Sequence, residues 1–204
     1  MDNNETLDMS FGAAAGQFIR TQVVPEVDAY RFATMAQKAG VTTETGALTN
    51  ADILEAIQTA ETTLDEAEVP QDNRILYITP TNLKLLEQEL ATKNGLARII
   101  NDDVNLGVRY FDGAKIVVVP QTRFYSKITI SNTGYAKDST NGKNINFMLV
   151  EASAVDAVVK HAPLKIFSPD ENQDSDSWKF QYRIYHDEFV YDNKVAGIYV
   201  HTVA

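Results

Sequence analysis

The chain contains no cysteine. That excludes disulfides, thiolate metal sites and a cysteine nucleophile, and it fits a reducing compartment. Nor is there a run of about eighteen apolar residues, so no segment reads as a membrane-spanning helix. The start, MDNNETLDMS, carries acid where a secretory leader needs base followed by an apolar stretch, so export is not expected. Positive charge is also scarce, with 18 Lys and Arg set against 28 Asp and Glu, a formal charge of −10. A protein that grips DNA or RNA directly needs a basic footprint, and here the cations are scattered. Only one Trp is present. It opens an aromatic stretch, Trp178, Phe180, Tyr182, Tyr185, Phe189, Tyr191 and Tyr199, with Lys179, Arg183 and Lys194 nearby. Base-stacking surfaces interleave aromatics with a basic groove. Asp174, Asp176, Asp187, Glu188 and Asp192 oppose that reading.

What is present is an ordinary globular composition, 44% hydrophobic over 204 residues, enough for one large domain or two small ones. Residues 1–9 read as polar and extended. From about Phe11, FGAAAGQFIRTQ predicts a helix, and VVPEVDAYRFATMAQKAG predicts another. These form either two helices or one helix kinked at Pro25. Pro25 suits a first turn and Gly40 suits a stop. Asp28, Arg31, Thr34 and Lys38 share a narrow polar stripe, and the rest of the circumference is largely apolar. So apolar a helix must be covered on several sides.

TTETGALTN reads as a loop. A cleaner amphipathic helix follows over about Asn50 to Ala67, with Ile53, Ile57, Ala60 and Leu64 on one face. RILYIT is a short strand. The next helix has Thr79 as N-cap, Pro80 at its first position, Leu83, Leu86 and Leu90 facing inward, and Asn94-Gly95 as its stop. AKIVVVP, without polar alternation, predicts a strand buried on both faces. Gln121 to Asn146 is polar and reads as a long loop or a hairpin. NFMLVEASAVDAVVKHA gives a buried strand, then a short helix or a further strand. In the tail, Trp178, Phe180, Tyr182 and Ile184 alternate with Lys179, Gln181 and Arg183. A turn at Asp192-Asn193 then returns VAGIYVH beside it, predicting an antiparallel ribbon with one apolar face. Helices and strands mix without a regular βαβ cycle, so the fold class is α+β.

No motif assembles a catalytic centre. GYAKDSTNGK has the wrong spacing for a phosphate loop. DENQDSD places acids at alternating positions, but Ser175 and Gln181 stand where a calcium loop needs Gly and Glu, so it reads as a solvated turn. Asp102 and Asp103 are adjacent and point different ways. His161, His186 and His201 have no metal-ligand spacing and read as satisfied or exposed imidazoles. Neither a cofactor nor a metal is expected.

Three stretches together resemble the major capsid protein of tailed bacteriophages: MDNNETLDMSFGAAAGQFIRTQVVPEVDAYRFATMAQKAG, VPQDNRILYITPTNLKLLEQ, and VVKHAPLKIFSPDENQDSDSWKFQYRIYHDEFVYDNKVAGIYVH. Their order covers nearly the whole chain. The resemblance implies the Hong-Kong-ninety-seven phage fold, with an axial domain, a peripheral domain built on a spine helix and a β ribbon, and no enzymatic site. It divides the chain into residues 1–48 (spine part of the peripheral domain), 49–162 (axial domain) and 163–204 (C-terminal return through the peripheral domain). Relatives carry an N-terminal arm and an extended loop before the spine helix, so the chain is expected to be a truncated or fragmentary form. The crosslinking Lys of some relatives lies on that loop, so no crosslink is expected.

The expected function is a structural subunit of a phage or prophage capsid, made in the bacterial host cytoplasm. It would assemble into pentamers and hexamers, with scaffolding or decoration proteins as possible partners, and enclose DNA without sequence-specific binding. An encapsulin-like nanocompartment shell is the runner-up. A small hydrolase or ligand-binding domain is the rival from another class. Candidate assembly contacts are Asn101, Asp102 and Asp103 in the segment to Asn105, then Arg123, Lys127 and Lys137 in the polar stretch, and the turn Asp192, Asn193, Lys194.

Overall fold

In the computed structural model, the structure describes residues 12–94, 101–103, 108–132, 134–161 and 163–204. Phe11, residues 1–9, Gly95 and Asn105 lie outside them. The first helix is continuous. It runs through residues 12–18, a π-helical turn Ile19–Val23, and α1, Val24–Gln37. Of the two readings left open at Pro25, the single helix is the one observed. Proline offers no N–H to the preceding turn, and the wider π turn just before it absorbs that missing bond. Gly40, at φ +93°, takes the chain out of the helix.

After β1 (Thr42–Thr45) come α2 (Ile53–Glu66), β2 (Arg74–Ile78), α3 (Pro80–Asn94), β3 (Asn101–Asp103), β4 (Val108–Phe111) and β5 (Ala114–Val118). A 3-10 turn at Gln121–Arg123 leads to the hairpin β6 (Ile128–Ser131) and β7 (Gly134–Lys137), which resolves the polar stretch as a hairpin. Then follow β8 (Ile145–Glu151), a 3-10 turn at Ala152–Ala154, β9 (Val155–His161), β10 (Leu164–Phe167), β11 (Lys179–Tyr182) and β12 (Tyr185–Val190). A second 3-10 segment, Asp192–Gly197, feeds β13 (Ile198–Thr202).

Seven strands form one mixed sheet in the order β1-β13-β8-β2-β5-β4-β3. β8 lies near its centre, and every residue of that strand is buried. Alternate residues of the central strands point to two separate cores. On one side Ile53, Ile57 and Leu64 of α2, with Leu83 and Leu86 of α3, pack against Leu76, Ile78, Phe147, Leu149 and Tyr199. On the other side Phe32 and Met35 of α1 join Phe124, Met148, Val150, Ile198 and Val200. Each fully buried aliphatic side chain contributes about 1.5–3 kcal/mol. The sheet is therefore held between helical layers. α3 begins as its sequence predicts: the backbone N–H of Asn82 donates to Thr79 Oγ1 at 3.3 Å.

Four expectations are corrected. TTET is a strand, paired in parallel with β13. Its four residues are all exposed, so no apolar alternation marked it. β5 is not buried on both faces: Lys115 is exposed and Val118 is 44% accessible. VAGIYVH does not return beside β12. The 3-10 segment diverts it into the central sheet between β1 and β8, and β12 pairs with β9 instead. Finally, the aromatic tail is not one continuous ribbon. β11 pairs with β10, Phe180 is 36% exposed, and its ring meets the first helix at Phe18, 5.8 Å away.

Candidate assembly surface

α1 is covered on several sides, as its apolar circumference demands. Between Pro25 and Ala36 no residue is fully exposed. Its polar stripe meets protein at three seams. Along β12, the Tyr30 hydroxyl donates to Asp187 Oδ1 at 2.8 Å, the Tyr30 ring meets the His186 ring edge-on at 5.2 Å, and Arg31 Nε lies 3.5 Å from Glu188 Oε2. Along the 3-10 turn, Arg123 Nη1 donates to Asp28 Oδ2 at 2.8 Å. At its C-terminal end, Lys38 Nζ pairs with Asp192 Oδ1 at 2.5 Å. Phe32 anchors the apolar side, edge-on to Tyr77 at 5.1 Å and to Phe124 at 4.8 Å.

The electrostatics of the β12 seam follow from one hydrogen bond and from burial. The hydrogen bond from Tyr30 holds the Asp187 carboxyl below the usual range, and the same bond raises the Tyr30 phenol. Burial pushes the Glu188 carboxyl up, against the opposing pull of Arg31. Burial, and then the Arg31 charge, push the His186 imidazole down. Arg31 Nε and Glu188 Oε2 make no hydrogen bond, so their contact is an ion pair only.

The candidate contact residues fall into three separate places. Asn101, Asp102 and Asp103 form β3, the edge strand of the central sheet, paired with β4. Arg123 is occupied by Asp28 and braces α1 from within. Lys127 is half-buried, and its carbonyl accepts from Asp138 N. Lys137 Nζ reaches Asn144 Oδ1 at 3.2 Å on the exposed side of the hairpin. Asp192 and Asn193 are exposed, and Lys194 Nζ donates to Ser153 Oγ at 2.8 Å. The hairpin and the Asp192–Lys194 groups both stand beside α1, whereas β3 lies at the far edge of the sheet from β1.

Sequence reading missed a second class of surface. The ribbons β9–β12 and β10–β11 expose Val158, Val159, Leu164, Ile166, Tyr185 and Phe189. Only a contiguous exposed apolar patch marks a surface that takes a partner. Also missed was Glu61 on α2. Burial, and a hydrogen bond with Asp112, push its carboxyl up to about 8.

Among the described residues, no group of three or more His, Asp and Glu is placed to hold a metal ion, and no helix is long and apolar enough to cross a membrane. An open cleft of about 500 Å³ is lined by Arg74, Tyr110, Lys115, Glu151 and Ser153. Its Arg74 is occupied by Asp65 and the carbonyls of Val69 and Pro70, and its Glu151 by Ser153.

No family model and no curated protein matches the sequence. Solved structures do match the fold. The capsid structure of cyanophage P-SCSP1u aligns with a TM-score of 0.58 and 17% identity, over 100% of this chain and 67% of that one. A structure from Mycobacterium phage Che8 aligns at 0.57 and 17%, over 95% of this chain and 61% of that one. A virus-like particle from Pyrococcus furiosus aligns at 0.52 and 13%, over 87% and 63%. The chain thus spans 61–67% of the length of these structures. It shares their mixed α+β fold.

Proposed function

We propose that this chain is a structural subunit of a tailed-phage or prophage icosahedral capsid. It assembles into pentamers and hexamers and encloses DNA without reading its sequence. The observation that carries the reading is the fold likeness to the cyanophage P-SCSP1u capsid along the entire chain. A net charge of −10 suits a shell that holds DNA without adhering to it. Residues 1–48 would form the spine part of a peripheral domain and 49–162 an axial domain. Residues 163–204 would be the return through the peripheral domain, whose last strand closes back into the central sheet. Scaffolding or decoration proteins would be its further partners. A nanocompartment shell that packages a protein cargo is the second reading, favoured by the likeness to the Pyrococcus furiosus particle.

The contacts between subunits are assigned to β3 with Asn101, Asp102 and Asp103, to Lys127 and Lys137 beside the hairpin, and to Asp192, Asn193 and Lys194. Arg123 takes part only indirectly, by holding the hairpin to α1. The test is light scattering with negative-stain microscopy over a range of salt and concentration, on the chain and on Lys137→Glu and Asn193→Arg variants. Rings or shells from the chain, altered in the variants at unchanged thermal stability, support the reading. A chain that stays monomeric throughout, or variants that unfold, overturns it. Nucleic acid inside purified shells, as opposed to protein cargo, separates capsid from nanocompartment.

A further inference from the structure

His201 lies in β13, is 3% exposed, and stacks on Phe147 at 5.1 Å. Its Nδ1 is 3.1 Å from Asn146 Nδ2. The orientation of the Asn146 amide is set by its other partners. Its Oδ1 accepts from Asn82 Nδ2 at 3.2 Å, while its Nδ2 donates to the Gly46 carbonyl at 3.2 Å. Turning the amide over would set oxygen against the Gly46 oxygen and NH₂ against NH₂. Asn146 therefore gives its second proton to His201, and Nδ1 of His201 must be the acceptor. The imidazole is held neutral with its proton on Nε2.

The consequence is mechanical. Asn82 opens α3, Asn146 opens β8, His201 belongs to β13, and Gly46 follows the edge strand β1. One side-chain amide ties the four together. Gly46 N also donates to the Thr202 carbonyl at 2.9 Å, so the clasp sits where β1 leaves the sheet. Among the described residues β1 has no strand neighbour other than β13, and it is exposed throughout.

We propose that this cluster is an acid-operated clasp on the sheet edge: a proton taken up at His201 Nδ1 sets donor against donor, parts His201 from Asn146, and releases β1 and the loop after it. The charged group facing the ring is Glu44 of β1, whose carboxylate accepts from the Tyr199 hydroxyl. Asn82 from α3, and Asn146 and Phe147 from β8, carry no charge. Burial lowers the imidazole's proton affinity and Glu44 partly restores it. The clasp is thus whole above the ordinary histidine range and opens as pH falls through the lowered value.

The experiment is amide hydrogen exchange, corrected for the intrinsic effect of pH, on the chain and on His201→Asn and Glu44→Gln, joined to nitrogen NMR of the His201 ring. Asparagine at 201 keeps an acceptor that does not titrate. The expected result is the Nε2–H tautomer at neutral pH and roughly tenfold faster exchange over residues 42–50 on acidification, as loss of one buried hydrogen bond implies. β2 and β8 should stay protected. The acid response should vanish in His201→Asn and persist in Glu44→Gln. A neutral-pH ring protonated at Nδ1, or acid-independent exchange over 42–50, overturns the clasp. So does a response that survives His201→Asn or vanishes in Glu44→Gln. If His201→Asn does not fold, the ring tautomer and the coincidence of its titration with exchange over 42–50 still decide the question.

Discussion

Tyr30 and Asp187 stand 157 residues apart in sequence and meet through a 2.8 Å hydrogen bond from phenol to carboxylate. That bond joins α1 to β12, and it makes a prediction about protons. The Tyr30 hydroxyl is the largest influence holding the Asp187 carboxyl low; the Glu188 backbone N–H is the next. Tyr30→Phe removes the first and leaves the second. Asp187 should then titrate at a higher pH by NMR, still below an unstructured aspartate. The sign for stability follows: a depressed carboxyl stabilises above its unfolded value, and that contribution is lost as pH falls through the folded one. The variant should therefore lose less stability on acidification than the parent. An unchanged Asp187 titration would show that the seam is not closed this way.

Glu61 predicts the opposite slope. Its carboxyl is pushed from 4.5 up to about 8 by burial and by Asp112, with Arg74 pulling against them. The folded state holds a proton that the unfolded chain releases. Stability from the neutral form is complete below pH 4.5 and is lost as pH rises toward 8. Glu61→Gln keeps the shape without the titration, so the parent's decline in melting temperature over that window should flatten in the variant. Equal slopes in the two proteins would place the proton elsewhere.

The Thr79 cap is a smaller and sharper case. Thr79→Ala removes the acceptor for Asn82 N and should cost about 1 kcal/mol in chemical denaturation. Thr79→Ser keeps a hydroxyl and should recover most of it. A loss equal in both variants would assign the effect to the threonine methyl.

That cap was legible because N-capping is local: Thr79, Pro80 and the leucine spacing lie within one turn or two of each other. The α2 face, Ile53, Ile57, Ala60 and Leu64, was legible for the same reason. β1 was not, since Thr42 to Thr45 are all exposed and show no apolar alternation, and their side-chain partners Tyr199 and Thr202 lie more than 150 residues away. β13 was misplaced because the apolar alternation of the tail continues past Asp192, and only the 3-10 segment redirects it. The contact surface was legible in part. Charges such as Arg123 stand out in a polar loop, but nothing local says that Asp28, 95 residues earlier, already occupies it. Nor could the sequence distinguish a buried aromatic from an exposed one.

Phe124 and Phe189 make that last distinction measurable. Phe124 is fully buried between α1 and the sheet, in edge-on contact with Phe32. Phe124→Ala leaves a large cavity and should cost about 3–5 kcal/mol. Phe189, on β12, is 52% exposed. Phe189→Ala should leave the isolated fold within about 0.5 kcal/mol of the parent, as surface changes usually do. If the ribbons are where subunits meet, the same change should weaken self-association by about tenfold or more, because apolar anchors carry most of the energy of an interface. Denaturation at low concentration and light scattering at high concentration separate the two effects. A Phe189→Ala protein that associates as the parent does would remove β12 from the contact surface and leave the hairpin, β3 and the Asp192–Lys194 turn to account for assembly.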